Sequence, residues 1–391
     1  MTCIILIRSK LIHIDNILPL IFVLKKAGLI SKSLFVVQDK ETFNTIKNNI
    51  VLYKAIITIN GKIVCMNIHK NRIIRLIYNI FILRRYLYQK VLSIETSNNL
   101  VSKMAAYNKI IWKGVRVVNM LNYTPPIVSR GFCLQKELIL KQNKRKLIVI
   151  NNYDYALFSY TKEQFEDATG TRIQLNPRTK TIQVGYTRGL KGWQEYLSLN
   201  SEHLFPEEIK KPYFFFPLAH LEKRFVGEDT PILEVPFREC LQVLKAYNDD
   251  LMTVFKPSAI TEMDKVYKIL EEIGYKNYIV SYAHPHQICK NARFTIASSS
   301  TTVLLDVYIL GCLTIEYVCY DSRVHNALGG KSFYDDFVDY AIDRDQVALK
   351  TVLDKIIYSD VQVHRNDDKI KKHFPVLSTD KIKKLFEVIT R

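Results

Sequence analysis

The sequence predicts an α/β protein built from two doubly wound domains. Short, fully apolar segments rich in β-branched and aromatic residues alternate with helix-like segments along most of the chain. A polar stretch with several Gly and Pro residues, 175–212, separates two such series. The 391 residues are enough for two domains of roughly 150–200 residues each.

The first series predicts a parallel sheet that helices cover on both faces. Strands that are apolar throughout are typical of such a doubly covered sheet. Helices are expected at Ile14–Ala27 and Ile73–Tyr88. The predicted strands are Cys3–Ile7, Leu34–Val37, Ala55–Ile59, Lys62–Met66, Lys90–Ile94, Arg116–Met120 and Lys146–Ile150.

The second series repeats this pattern and defines the predicted domains. Its strands are predicted at Tyr213–Phe216, Met252–Phe255, Tyr278–Val280, Phe294–Ala297 and Thr314–Tyr317. Its helices are predicted at Glu234–Tyr247, Glu262–Ile273 and Thr302–Leu310, with an amphipathic helix at Asp380–Thr390. We therefore expect domains at 1–205 and 206–375, with a C-terminal helix in 376–391. A ligand is expected in a cleft between the domains, beyond the carboxyl ends of the strands.

Composition narrows the class of protein. Lys and Arg total 56 against 38 Asp and Glu, a net charge of +18, which favours phosphate-bearing ligands or an anionic membrane face. No run of about 18 uncharged apolar residues occurs, so a membrane span is not expected. The seven cysteines form no CxxC pair, which argues against a zinc ribbon or redox dithiol. Their odd number without a signal peptide favours the cytoplasm.

Several common enzyme motifs are missing from the sequence. It contains no GxxxxGK[ST], no GxGxxG after the first strand, no GxSxG and no HExxH. These absences argue against a P-loop NTPase, a dinucleotide oxidoreductase, an α/β-hydrolase and a zincin. No Asp-x-Asp pair follows a predicted strand either, so chemistry without a bound metal is expected.

Five consecutive hydroxyl residues form the strongest candidate site. Ser298, Ser299, Ser300, Thr301 and Thr302 follow a buried strand and precede a helix that ends at Gly311. A helix start offers free N–H groups to an anion, and small hydroxyls add donors while allowing close approach. The run therefore predicts a phosphate-binding turn; the alternative interpretation is a Ser-rich turn that caps the helix without a ligand.

Other strand ends supply candidate partners for that site. Lys256 closes the second strand of the second series and can neutralise a phosphate. His284 and Pro285 lie in a loop where the histidine can donate to a phosphate or base edge. Asp154 follows the apolar run that ends at Ile150 and is the candidate general base. Each has an ordinary structural alternative, namely a solvated loop lysine, a loop histidine, or a turn aspartate that bonds its own backbone.

The second series resembles bacterial GT-B-fold glycosyltransferases of capsule and lipopolysaccharide synthesis. The resemblance covers about 212–320 and rests on the FFFPL strand, the strand ending in Lys256-Pro257, the Ser298–Ser300 run and the TIEY strand. It is strongest to enzymes that use CMP-activated ulosonic acids, the sialic acid and Kdo transferases. Their Lys-x-His-Pro motif aligns with Lys256-Pro257-Ser258, which contains no histidine.

The resemblance implies two Rossmann-like domains and residue roles at the matching positions. Ser298, Ser299, Ser300, Thr301 and Lys256 would hold the nucleotide, with His284 and Pro285 in a nucleotide-lining loop. Asp306 stands where related UDP-sugar enzymes place a ribose-binding carboxylate. Asp154 would be the base, with Asp229 and Glu222 as the candidates if the reaction retains configuration.

The function expected from this resemblance is metal-independent transfer of a sialic acid or Kdo-like sugar from a CMP-linked donor to a surface glycan. No cofactor beyond the nucleotide sugar is expected, and the acceptor would be a glycan or lipid-linked glycan. The basic segment Lys70–Lys90 suits peripheral contact with an anionic membrane at the inner face of the cell membrane. The alternative interpretation is an ordinary helix with a solvated basic face.

Several alternatives stay open. On the same scaffold they are a UDP-sugar transferase, a non-hydrolysing epimerase or a polyol-phosphate transferase. A catalytically inactive scaffold and a nucleic-acid-binding protein are also possible. The basic residues are spread along the chain without a nucleic-acid-binding motif, so no nucleic-acid partner is expected.

Overall fold

The computed structural model describes most of the chain, in segments. They are 1–7, 11–37, 39–65, 91–95, 115–121, 130–131, 133–134, 137–138, 147–150, 153–200, 209, 211–221, 233–258, 261–299, 301–318, 320–332, 334–359 and 378–390. They form two compact units. The first contains the strands before residue 196 and the C-terminal helix, and the second contains the strands from Tyr213 onward.

The first unit is built on a seven-stranded parallel sheet of order β3-β2-β1-β4-β5-β7-β9. A separate parallel pair joins β6 and β8. The strands are β1 Thr2–Ile7, β2 Lys32–Val37, β3 Gly61–Cys65, β4 Val91–Glu95, β5 Val115–Leu121, β6 Leu147–Ile150, β7 Tyr155–Phe158, β8 Arg172–Leu175 and β9 Lys180–Gln183. The helices are α1 Leu11–Lys26, α2 Lys40–Asn48, α3 Ile50–Thr58, α4 Lys162–Thr169 and α5 Lys191–Asn200, with a 3-10 turn at Thr187–Gly189.

One predicted strand of this unit is wrong. Of the predicted strand Ala55–Ile59, residues 55–58 lie in helix α3 and Ile59 follows its end, although Ile and Thr favour strands. The side chain of Asn49 accepts a 3.2 Å hydrogen bond from the N–H of Leu52 and so caps the helix start. Val51, Leu52, Ala55 and Ile56 are buried at helical spacing. Capping and a helical apolar face therefore outweigh local β propensity.

The second unit is built on a six-stranded parallel sheet of order β12-β11-β10-β13-β14-β15. Its strands are β10 Tyr213–Pro217, β11 Met252–Lys256, β12 Tyr278–Val280, β13 Thr295–Ala297, β14 Thr314–Val318 and β15 Tyr340–Asp343. Its helices are α6 Glu234–Leu244, α7 Met263–Ile273, α8 Pro285–Cys289, α9 Val303–Ile309, α10 Ser322–Ala327 and α11 Gln346–Tyr358, with 3-10 turns at Lys245–Tyr247 and Asp335–Phe337.

Both faces of the second sheet are buried, as its apolar strands predict. Phe214 and Phe216 point into a core that includes side chains of α6, α7 and α11. Phe215, between them in β10, lies in the opposite core with Ile288 of α8 and Val307 of α9. This alternation is the two-residue period of a strand, and it confirms the doubly wound α/β class predicted from sequence.

The C-terminal helix α12, Thr379–Thr390, belongs to the first unit. It packs against α1 and buries Ile382, Phe386 and Ile389. These residues recur at helical spacing, which agrees with the predicted amphipathic helix. Among the described helices of the chain, none has the length and apolar content needed to cross a bilayer.

Candidate functional site

The order in which the chain adds strands to the second sheet reverses between β10 and β13, although all the strands are parallel. From β10 the chain continues outward through β11 and β12, then returns to the other side of β10 and continues through β13, β14 and β15. In open parallel sheets such a reversal leaves a crevice at the carboxyl ends of the two central strands, where ligands bind. The loops that follow Pro217 and Ala297 flank this point, and we take it as the candidate site.

The predicted hydroxyl run lies directly after β13, at this reversal. Ser298 is buried, whereas Ser299, Thr301 and Thr302 are half-buried, and Ser300 lies outside the described residues. Thr301 Oγ1 accepts a 3.3 Å hydrogen bond from the N–H of Val303, the first residue of the short helix α9. Phosphate binding by the run stays a prediction.

Lys256 lies where the sequence predicts it, as the last residue of β11. It is half-buried, and its carbonyl accepts a 2.8 Å hydrogen bond from the N–H of Leu218 in the loop after β10. Pro257 follows and ends the strand. Because β10 and β11 are adjacent and parallel, Lys256 is at the carboxyl edge of the sheet, next to the candidate site.

His284 and Pro285 begin helix α8, in the connection between β12 and β13. The ring of His284 is buried, and its Nδ1 accepts a 3.4 Å hydrogen bond from the N–H of His286. The His284 N–H donates to Oε1 of Gln287 at 3.2 Å, which completes a capping box. The structure thus gives His284 a capping role, and nucleotide contact by His284 or Pro285 stays a prediction.

Asp306 is buried within α9, one turn after the hydroxyl run. Burial raises the pKa of the Cys289 thiol well above its usual range, and the neighbouring Cys312 and Asp306 add to this rise. The Asp306 charge therefore acts on the region where α9 packs against α8. A ribose contact by Asp306 stays a prediction.

Asp154 lies immediately before β7 in the first unit. Its carbonyl accepts a 2.9 Å hydrogen bond from the N–H of Lys180, the first residue of the neighbouring strand β9. Asp154 is therefore at the amino end of β7, whereas ligands of parallel sheets bind at the carboxyl ends. The sequence analysis placed Asp154 after the strand that ends at Ile150. That strand is β6, which belongs to the separate two-stranded sheet.

Some predicted residues fall outside the described ranges. They are Ser300, the alternative carboxylates Glu222 and Asp229, the basic segment Lys70–Lys90 and the predicted helix Ile73–Tyr88.

A histidine–carboxylate pair at the same sheet edge was missed by the sequence analysis. Nδ1 of His220, three residues after β10, contacts Oε1 of Glu262, which immediately precedes α7. The other carboxylate oxygen, Oε2, accepts a 3.1 Å hydrogen bond from the N–H of Leu221. Glu262 thus holds both the ring and the backbone of the loop after β10. A histidine beside a predicted strand end was the available signal for this pair.

A buried carboxylate under the site was also missed. Glu316 is the middle residue of β14 and pairs in register with Ala297, just before the hydroxyl run. Its Oε1 accepts a 2.8 Å hydrogen bond from the Tyr320 hydroxyl, and Ser332 Oγ donates to its Oε2. Burial raises the pKa of Glu316 to about 7, although both hydroxyl donors act to lower it. A glutamate inside an otherwise apolar strand was the signal.

Comparison with known proteins finds similarity in structure only. No protein-family model and no curated protein matches the sequence. The chain is similar to a UDP-N-acetylglucosamine 2-epimerase, with 10% identity, 99% of this chain and 95% of that chain covered, and a TM-score of 0.53. It is similar to the wall teichoic acid polymerase TagF, with 13% identity, coverages of 99% and 88%, and a TM-score of 0.53. It is also similar to a glycosyltransferase from Rickettsia africae, with 10% identity, coverages of 99% and 97%, and a TM-score of 0.51.

These similarities extend over almost the whole chain and establish its fold. The chain has the GT-B-type architecture of two Rossmann-like sheets that glycosyltransferases and nucleotide-sugar epimerases share. The fold class expected from the sequence is confirmed. At identities of 10–13% the likeness shows the fold, and the activity has to be argued from the site.

Proposed function

We propose that this chain is a glycosyltransferase that moves a sugar from a nucleotide donor to a glycan acceptor. The observation that carries the proposal is the hydroxyl run Ser298–Thr302, which follows β13 where the strand order of the second sheet reverses. That is the place where open parallel sheets bind nucleotides. The fold, shared with glycosyltransferases, agrees with this proposal.

The chemistry follows from the groups at this edge. A glycosyl transfer breaks the bond between the anomeric carbon and a nucleotide phosphate, so negative charge develops on the leaving oxygen. The hydroxyls of Ser299 and Thr302, with the ammonium group of Lys256, would stabilise that charge. The acceptor hydroxyl must lose a proton as its oxygen attacks the anomeric carbon, through an oxocarbenium-like transition state.

The donor we propose is a CMP-linked ulosonic acid such as sialic acid or Kdo. The support is the residue resemblance around Lys256, Ser298 and the β14 strand. A UDP-linked sugar is the second candidate, because a structural neighbour is a UDP-N-acetylglucosamine 2-epimerase and another, MnaA of S. aureus, is a complex with UDP. The reaction is proposed to need no bound metal or cofactor besides the donor.

The proposed acceptor is a surface glycan or its lipid-linked precursor. The net charge of +18 suits an acidic donor and an anionic lipid surface. Peripheral attachment of the protein to the inner face of the membrane would be detected by co-sedimentation with liposomes that contain anionic lipid, compared with neutral liposomes.

A panel of nucleotides tests the proposed function directly. We expect CMP, CDP or UDP to raise the melting temperature of the full chain, since a ligand that binds only the folded state stabilises it. Thr302→Val removes a hydroxyl and keeps the side-chain shape, and it should reduce that rise. Thr351→Val on α11, whose hydroxyl bonds the Val347 carbonyl at 2.9 Å, is the matched control. If none of the three nucleotides raises the melting temperature, the proposal is wrong.

The proton acceptor assigned from sequence is Asp154. That assignment expects Asp154→Ala to abolish transfer while nucleotide binding survives. Normal turnover by purified Asp154→Ala would refute it.

A further inference from the structure

His220 and Glu262 come from two loops that the sheet brings together. His220 follows β10, and Glu262 ends the loop after the adjacent parallel strand β11. The two loops are also joined by backbone contacts, since Leu218 N–H donates to the Lys256 carbonyl at 2.8 Å. Thr261 Oγ1 donates to the Leu218 carbonyl at 3.4 Å. The pair is therefore held by several contacts besides its own.

The contact places one ring nitrogen of His220 against a carboxylate. Nδ1 is buried against the Glu262 carboxylate, and 29% of the His220 side chain is exposed. A neutral imidazole whose Nδ1 faces a carboxylate carries its proton there. With the proton on Nδ1, the lone pair is on Nε2. Glu262 also stands at the start of α7, where the helix dipole stabilises a carboxylate.

His220 lies in the loop that follows β10, one of the two central strands of the second sheet. β10 lies between β11, which ends in Lys256, and β13, which leads into the hydroxyl run. The loop that carries His220 thus lies between the two groups proposed to hold the leaving phosphate. Asp154, by contrast, lies at the amino end of its strand in the first unit.

We propose that His220 is the proton acceptor of the transfer reaction and that Glu262 is the positioning residue that orients its ring. The inference rests on the proposed function. In the step, the acceptor O–H bond breaks and its proton moves to His220 Nε2. The acceptor oxygen bonds to the anomeric carbon, and the bond from that carbon to the phosphate oxygen breaks, so that the nucleotide leaves with the electron pair.

The tautomer of His220 is the first test and needs no substrate. Long-range ¹H–¹⁵N NMR on the full chain, with the His220 signals assigned from their loss in His220→Gln, should show the neutral ring protonated on Nδ1. Glu262→Gln keeps an oxygen acceptor for the Leu221 N–H and should increase the Nε2-protonated form. A wild-type ring protonated mainly on Nε2 would overturn the proposal.

Turnover is the second test. Release of CMP or UDP is measured with CMP-sialic acid, CMP-Kdo and UDP-N-acetylglucosamine, with water as the acceptor. Loss of a general base lowers rates by about 10²–10⁴-fold, so His220→Ala should lose that factor while CMP or UDP affinity stays within about twofold. Added imidazole should restore part of the rate, which a merely structural defect would not allow.

The control is another histidine–carboxylate pair of the same unit. His325 Nδ1 lies 3.5 Å from Asp343 Oδ2, on α10 and at the end of β15. His325→Gln should leave nucleotide release unchanged. Full release by His220→Ala would overturn the proposal and return the role to Asp154. If the wild type binds no nucleotide, the proposed function fails, while a His220 ring protonated on Nδ1 would still confirm the orienting pair.

Discussion

The hydroxyl of Tyr320 donates a 2.8 Å hydrogen bond to the fully buried carboxylate of Glu316. Ser332, which donates to the other carboxylate oxygen, also accepts a 2.8 Å hydrogen bond from the N–H of Tyr334. The network therefore joins β14 to the segment that follows it. Burial dominates the electrostatics, so the folded protein favours the protonated carboxyl.

The first prediction concerns the pH dependence of stability. The pKa of Glu316 is about 7 in the folded protein against 4.5 as the reference value, so the folded state binds the extra proton between these values. Its stabilising contribution is present below pH 4.5 and is lost as pH rises through 7, by about 3 kcal/mol in total. Glu316→Gln should remove this dependence.

Urea unfolding of the wild type and of Glu316→Gln between pH 4.5 and 8 measures this effect. Other titrating groups contribute equally to both proteins, so the difference between the two curves isolates Glu316. If the difference in the free energy of unfolding between the two proteins stays constant across this pH range, Glu316 keeps an ordinary pKa in the folded state.

The second prediction concerns Lys256 at the end of β11. If its ammonium group contacts the nucleotide phosphate, Lys256→Ala should weaken binding of the best-bound nucleotide. A hydrogen bond to a charged group contributes about 1.5–3 kcal/mol, which corresponds to roughly 10- to 100-fold in affinity. Calorimetric titration measures the change. Lys268→Ala is the control, because this α7 lysine is 75% exposed. Equal affinities of both variants would remove Lys256 from the site.

The third prediction concerns the close packing at the start of β3. A Cβ atom on Gly61 would lie 2.9 Å from the Ile56 carbonyl oxygen and 3.1 Å from the Phe35 ring. Gly61→Ala should destabilise the first unit by about 1–3 kcal/mol through overpacking. A Cβ on Gly192 in α5 would meet only Val23, at 3.5 Å, so Gly192→Ala should be neutral or stabilising by up to about 1 kcal/mol. Thermal unfolding that ranks the two variants in the opposite order would contradict the packing argument.

The fourth prediction concerns the cap of helix α3. Asn49→Ala removes the acceptor for the Leu52 N–H and should lower the free energy of unfolding by about 1 kcal/mol. Asn48→Ala, at an exposed position in the last turn of α2, should change it less. Urea unfolding compares the two variants, and equal losses would show that the cap contributes little.

Much of the fold could be predicted because apolar strands are recognisable one at a time. All five predicted strands of the second unit are present, whereas β15 was missed. Its sequence, YAID, is short, carries an aspartate and is largely exposed at the sheet edge, so it lacks the apolar signal of a buried strand. The Ala55–Ile59 segment shows the opposite error, in which β-branched residues occupy a capped helix.

The candidate site was only partly predictable. The hydroxyl run and Lys256 are local patterns beside strand ends, so the sequence located them. The His220–Glu262 pair depends on the adjacency of β10 and β11 and on a side chain reaching between two loops, which no local pattern contains. Asp154 was placed at a strand end from the predicted strand Lys146–Ile150, but which sheet that strand joins depends on pairing with β8.

Helix α12 has a consequence for how the first unit is made. Ile382, Phe386 and Ile389 are covered by a unit whose sheet begins at Thr2. During synthesis all strands of the second unit emerge before α12. Until α12 emerges, the apolar surface of the first unit that it covers, near α1, stays exposed. Deleting 379–390 should therefore leave this apolar surface exposed and make the chain prone to aggregation through it, while the sheet of the second unit folds normally.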